Sequence, residues 1–165
     1  MALDAYLQLG DIKGDSTDDK HKAWIEVKNV DWGVTQPRAV SVSTAGGHTS
    51  GKAEVHEVSF DKLADIASPI LFQTCAMGKT IPKAKFEFYR ADGDGVRVKY
   101  YEIELENVML SSVRPNSGDG GGLINEKVHL ASSKIKLTYT KQLIGGGAGG
   151  STAGGWDSAA NKVHA

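Results

Sequence analysis

Apolar and polar residues alternate along most of this chain, which is the pattern of half-buried β-strands. In the first run, Leu3, Ala5, Leu7 and Leu9 alternate with Asp4, Tyr6 and Gln8. In the next run the apolar positions are Ala23, Ile25 and Val27, and they then shift by one residue to Val30 and Trp32. A shift of this kind predicts a β-bulge at Lys28–Asn29.

The same change of face recurs in two later runs. One passes from Val96, Val98 and Tyr100 to Ile103 and Leu105 and back to Val108 and Leu110. The last run passes from Val128 and Leu130 to Ile135, Leu137 and Tyr139. Strands that change face repeatedly are strands that bend, so the pattern favours a mainly β fold whose long strands pass between two sheets of a closed or nearly closed barrel.

One segment, Asp61–Gly78, has near-helical apolar spacing and predicts a helix over residues 61–77 at the side of the barrel. Asp61 is a candidate N-cap and Gly78 a candidate C′ residue. Ser68–Pro69 in the middle indicates two short helical pieces. The single cysteine, Cys75, falls on the apolar face and is expected to be buried.

Glycine-rich segments punctuate the strands. Ala91–Gly95 contains the sequence DGDG, which resembles part of a calcium loop but lacks its later carboxylates, so a hairpin turn is favoured. Gly145–Gly155 looks like a flexible linker, and Trp156 after it is expected to dock onto the barrel. This divides the chain into a barrel subunit at residues 1–144 and a linker with a docked tail at 145–165.

The stretch Gly46–Ala53, GGHTSGKA, has the spacing of a phosphate-binding loop except at its last position. Ala53 stands where a hydroxyl would hold Mg²⁺, and Ala53–Phe60 has strand character where that motif requires a helix. We therefore interpret GGHTSGKA as the tip of a hairpin.

Composition narrows the classes of function. The chain has 165 residues, 40% of them hydrophobic and 24% charged, which suits one globular domain. A formal net charge of −1 gives no basic surface for nucleic acid. We expect no membrane insertion, because no apolar run approaches bilayer length, and the N-terminal sequence does not read as a cleavable signal peptide.

Candidate chemistry is sparse. The five histidines (His21, His48, His56, His129 and His164) do not have metal-ligand spacing, and no nucleophile-elbow motif is present. We predict no catalytic residues, no cofactor and no metal, a profile that fits a structural building block better than an enzyme.

Several short motifs occur in the order found in one known family. They are Ile12–Ser16 with His21, Trp32–Gly33, Ser68–Pro69 with Leu71, and Gly155–Trp156 with Asn161. Together they resemble the hemolysin-coregulated protein family, the tail-tube subunits of the bacterial type VI secretion system. The resemblance implies a small two-sheet β-barrel with a helix packed at its side, assembled into hexameric rings that stack into a hollow tube.

The resemblance also implies partners and a location. The partners are further copies of the chain, the spike protein, contractile sheath and baseplate of the machine, and effector proteins in the lumen. The protein would be made and assembled in the cytoplasm and then exported into the medium or a target cell without a cleavable signal peptide. Two alternatives stay open: a small secreted effector and a monomeric ligand-binding barrel.

Four sets of residues are candidates for these contacts. The hairpin tip is expected to contribute to ring stacking through Thr44, Gly46, Gly47, His48, Gly51 and Lys52. Trp24 shares a face with Glu26, away from the apolar residues, so it either forms a subunit contact or covers the rim of the core. Lys28 and Asp31 are candidates for the channel wall, and Trp156 for the tail dock.

Overall fold

Eleven β-strands and one α-helix make up the described part of the chain, which comprises residues 4–37, 51–118 and 121–164 of a computed structural model. The first five strands are β1 (Asp4–Leu9), β2 (Ile25–Asp31), β3 (Val34–Thr35), β4 (Glu54–Val55) and β5 (Val58–Leu63). Helix α1 (Ser68–Met77) follows. The remaining strands are β6 (Thr80–Ala91), β7 (Arg97–Asn116), β8 (Asn125–Ala131), β9 (Lys134–Gln142), β10 (Ala148–Asp157) and β11 (Lys162–Val163).

Six strands close into a barrel in the order β7-β6-β1-β2-β5-β8, because β8 pairs with both β5 and β7. The same sheet continues outward from β7 through β9, β10 and β11. Strand β7 has 20 residues, which is long enough to belong to both the barrel and the sheet extension. Its residues 101–106 pair with β9, and its residues 109–116 pair with β8. β3 and β4 form a separate two-stranded ribbon. The predicted mainly β barrel with one side helix is confirmed.

Bulges lie where the apolar pattern changes face. The ladder between β2 and β5 shifts between Lys28 and Asp31, and Asn29 has a left-handed φ of 52°. In β7, Asn107 has a φ of 53°, and the pairing with β8 shifts between Leu110 and Ser112. Asparagine tolerates this backbone conformation better than most residues. The predicted bulge at Lys28–Asn29 is confirmed.

The core fills the barrel with side chains from all six of its strands. Fully buried members are Leu7, Leu9, Ile25, Phe60, Phe86, Ile103, Val108, Val128 and Leu130. Phe60 and Phe86 meet edge to face with ring centroids 5.6 Å apart. Burial of this apolar surface is the main favourable term in folding.

The helix is shorter than the sequence predicts, and its start is different. Asp61 does not cap a helix but lies in β5, opposite Lys28 of β2 and Lys127 of β8. Strand pairing therefore includes residues 61–63 of the predicted first helical piece, and residues 64–67 form the turn before α1. The predicted C-terminus is confirmed, since Gly78 has a left-handed φ of 64° and its N–H bonds to Cys75 O.

The C-terminal region also corrects the sequence interpretation. The last predicted strand is two strands, β8 and β9, separated by Ser132 and Ser133. The glycine-rich segment is not a linker for most of its length, because β10 pairs with β9 from Ala148 to Asp157. Trp156 lies in this strand and packs, half-buried, against the core, and its role as the dock of the tail stays a prediction.

In the described ranges, no helix is long and apolar enough to cross a membrane.

Candidate assembly surfaces

The connection between β1 and β2, residues 10–24, is held by its own hydrogen bonds. Gly14 N–H donates to Ala23 O at 2.8 Å, and Ser16 N–H donates to Trp24 O at 3.0 Å. A side chain at Gly14 would place its Cβ 2.5 Å from Trp24 O, so only glycine fits there. Asp15 Oδ1 accepts the N–H of Ile66 at 3.2 Å and ties this loop to the turn before α1.

An aromatic cluster lies under this loop and around His21. The buried His21 ring stacks on Tyr6 with centroids 4.4 Å apart, and the rings of Trp24 and Tyr89 meet it edge-on at 4.7 and 4.9 Å. Trp24 is half-buried and precedes β2. It therefore covers part of this cluster and also presents an open side to solvent, so its role in a subunit contact stays a prediction.

Charged groups surround the cluster. His21 Nδ1 lies 2.5 Å from Asp18 Oδ2, and the His21 bond is the main cause of a lowered Asp18 pKa. Arg97 bonds Asp18 at 2.7 Å and the Tyr6 hydroxyl at 2.7 Å. Burial, helped by the neighbouring Glu87, raises the pKa of Tyr89 to about 12. These bonds fix the loop of residues 10–24 against β1, β6 and β7.

The second surface is the bulged half of β2. Lys28 and Asp31 are both exposed, as expected for candidates that meet a channel or a cargo. Asn29 at the bulge donates from Nδ2 to Asp61 Oδ2 at 2.9 Å, which holds the distortion in place. Beside it, a shallow groove is lined by Val30, Trp32 and Tyr100 among others. Lys28 and Asp31 lie at one surface, and their placement on a channel wall stays a prediction.

The third surface is the hairpin that carries the predicted stacking loop. At its base, Val34 pairs with Val55 and Thr35 with Glu54. Gln36 Nε2 donates to Gly51 O at 2.5 Å, and Gly51 N–H donates to Pro37 O at 3.0 Å. Among the predicted loop residues, Gly51 and Lys52 are exposed, whereas Thr44, Gly46, Gly47 and His48 lie outside the described residues.

One apolar surface was not predicted from the sequence. Helix α1 contacts the core through Leu71 and Thr74, and several apolar side chains on and near it remain exposed: Ile66, Ile70, Phe72 and Met77. Cys75 is half-buried against the core rather than buried. Ile66, Ile70 and Met77 have the near-helical apolar spacing noted for Asp61–Gly78, and that spacing does not show that their side chains are exposed. An exposed apolar group of this kind is typical of a surface that meets another protein.

Among the described residues, no three His, Cys, Asp or Glu side chains converge in a way that could hold a metal ion. The DGDG segment is a hairpin turn between β6 and β7, as predicted. Asp92 Oδ1 accepts the N–H groups of Asp94 and Val96 at 2.9 and 2.8 Å, so its carboxylate is used within the turn.

Comparison with known proteins decides the family. The model of the family described as "Type VI secretion system effector, Hcp" matches residues 6–139. The chain belongs to the Hcp family. Protein hcp1 of Pseudomonas aeruginosa is 33% identical over 158 residues, which cover 95% of this chain and 96% of that protein. The Hcp family is a family of type VI secretion proteins.

Solved structures agree with the Hcp assignment. A structure described as a type six secretion system protein has a TM-score of 0.91 at 30% identity and covers 99% of this chain and 100% of its own. Hcp1 from Salmonella typhimurium has a TM-score of 0.77 at 33% identity, with the same coverage. The barrel, the extension of its sheet and the side helix are therefore features shared with Hcp proteins.

Proposed function

We propose that this Hcp protein is a tail-tube subunit of a type VI secretion machine. Six copies form a ring, rings stack into a hollow tube, and the tube is exported with effector proteins in its lumen. The subunit performs no catalysis and needs no cofactor. Its work is to present the same contact surfaces at every position of a repeating assembly.

The observation that carries this proposal is the extent of the match. The chain and its relatives align over almost their whole lengths, and the aligned part is the barrel with its sheet extension. Three surfaces would be available for contacts between copies: half-buried Trp24, the exposed bulge of β2 and the separate β3–β4 ribbon. A ring contact of this kind is heterologous, because one surface of a subunit meets a different surface of the next.

Individual roles follow from the positions of these surfaces. The hairpin on β3 and β4 would reach the neighbouring ring through the residues around Gly51 and Lys52. Lys28 and Asp31 would face the lumen, where weak contacts to cargo gain from sixfold repetition. The spike, sheath and baseplate would meet the ends and the outside of the tube. Assembly would take place in the cytoplasm, and export would need no cleavable signal peptide.

Size-exclusion chromatography with light scattering tests the ring. We expect a species with a mass near six times the 17.5 kDa of one chain. A monomer at all concentrations would oppose the tube and favour a small effector or a ligand-binding barrel.

Negative-stain microscopy tests the stacking role of the hairpin. Replacing residues 44–52 by a two-residue turn should leave hexamers in solution and abolish tubes. Changing only Lys52 to Ser serves as a matched control for the charge at the tip. If the shortened protein forms tubes as readily as the natural chain, the loop does not stack rings.

A further inference from the structure

Strand β10 has one paired side and one open side. It pairs with β9 from Ala148 to Asp157, whereas on its other side β11 pairs only with Trp156 and Asp157. Within the described part of the chain, no strand covers the outer side of residues 148–154. This part of β10 is therefore a free edge of the nine-stranded sheet.

The backbone groups that point out of this edge can be assigned. His164 N–H donates to Gly155 O at 3.1 Å from the side away from β9, so the backbone groups of Gly155 face outward. Residues of an antiparallel strand alternate between the two sides, and the pairing with β9 has no register shift from Ser151 to Asp157. Ala153 and Ser151 therefore also direct their N–H and C=O groups outward, while Thr152 and Gly154 bond to β9.

In the described part of the chain, this edge has none of the usual protection against pairing. Natural edge strands are blocked by charged side chains, prolines or covering segments. Residues 145–155 contain no charged residue and no proline, and Ser151–Gly154 are exposed. Glycine and alanine leave room for another backbone to approach. The register shift in β10 lies between Ala148 and Ser151, so Ser151–Gly155 forms a regular strand edge.

From this edge we infer that β10 is a subunit contact at which an extended strand of a neighbouring copy adds to the sheet through Ser151 and Ala153. The inference rests on the proposed ring and identifies one of its contacts. A free strand edge recognises extended backbone by main-chain hydrogen bonds. The neutral composition of residues 145–155 gives no preference for a charged partner, and each chain carries a net charge of only −1. A second copy is present at every ring position, so one such contact per subunit would cover every edge.

A substitution at Ala153 tests the contact. Ala153→Pro removes an N–H group that has no strand partner among the described residues, and proline is tolerated on edge strands whose N–H faces solvent. The matched control Ala153→Thr keeps the N–H. We expect the proline variant to raise the dissociation constant of the ring by about tenfold or more. The threonine variant should form rings like the natural chain. Rings of unchanged stability in a folded proline variant would overturn the inference.

Hydrogen exchange on the natural ring gives a second test that does not depend on folding of a variant. Thr152 and Gly154 serve as internal references, because their amides bond to β9. If β10 is a subunit contact, the amides of Ser151 and Ala153 exchange as slowly as these references. Exchange of Ser151 and Ala153 at close to the unfolded rate overturns it. If the natural chain forms no ring, the proposed tail-tube function itself is wrong. That outcome is distinct from rings that form without a contact at β10.

Discussion

Replacing Lys62 by Met should strongly destabilise the subunit. Lys62 is a fully buried lysine in β5, directly opposite Glu126 of β8. Its Nζ lies 2.6 Å from Glu126 Oε2 and 2.9 Å from Asp65 Oδ1, and it also donates to Ser68 Oγ at 3.0 Å. The ammonium group thus links β5, β8 and the start of α1.

The magnitude follows from the burial of these partners. The Glu126 side chain is 3% exposed and the Asp65 side chain 10%, so loss of the lysine leaves a carboxylate that water can hardly reach. Breaking a buried ion pair in this way costs about 3–5 kcal/mol. The double variant Lys62→Met/Glu126→Met should recover part of that loss, because it also removes the more deeply buried carboxylate, while Asp65 keeps its bond from the Ala67 N–H.

Urea unfolding at one fixed chain concentration measures these changes, since the apparent stability of an oligomer depends on protein concentration. Exposed Lys127, the next residue of β8 after Glu126, provides a control: Lys127→Met should change the free energy of unfolding by about 0.5 kcal/mol or less. The reasoning is refuted if Lys62→Met costs less than about 1 kcal/mol, or if the double variant is no more stable than the single one.

Three further outcomes are expected. The Tyr89 pKa of about 12 lies above the usual value of about 10, so stability present below pH 10 should be lost as the pH rises to 12; Tyr89→Phe should reduce that loss more than Tyr139→Phe at an exposed position. Trp24→Ser should shift rings to folded monomers, whereas Trp24→Phe should keep them; an unchanged ring mass in light scattering would exclude Trp24 from the contact. Asp31→Arg should change the amount of effector that co-purifies with the rings, while the rings persist. An unchanged amount of co-purified effector would exclude Asp31 from the lumen.

Strand bending could be predicted from the sequence because each bulge shifts the alternation of apolar and polar residues by one position. The shift from Val27 to Val30 marks the bulge at Asn29, and the shift from Leu105 to Val108 marks Asn107. The start of the helix could not be predicted in this way. Lys62 lies on the same core-facing side of β5 as Phe60, and a lysine at a core position hides the alternation of apolar and polar residues. Ile66, which helical spacing assigns to the core, is 67% exposed in the turn before α1.

Contact surfaces were less predictable than the barrel. Glycines of β10 carry no side chains, so an alternating pattern cannot appear, and only pairing with β9 reveals the strand. Trp24, Lys28 and Asp31 are contact candidates because each breaks the alternation of β2 or lies opposite its apolar face. Any contact that they make with other copies of the chain cannot be identified from the apolar and polar pattern of a single subunit.

The length of β7 has a dynamic consequence. Between Tyr101 and Glu106 it is flanked by β6 on one side and β9 on the other, and the same strand continues into the wall of the barrel. Freeing these amides requires the barrel and the sheet extension to open together, so they should report the global unfolding of the subunit. A force applied to β9–β11 is passed directly into the barrel wall, without a hinge between them, which gives a subunit that transmits load as one stiff body.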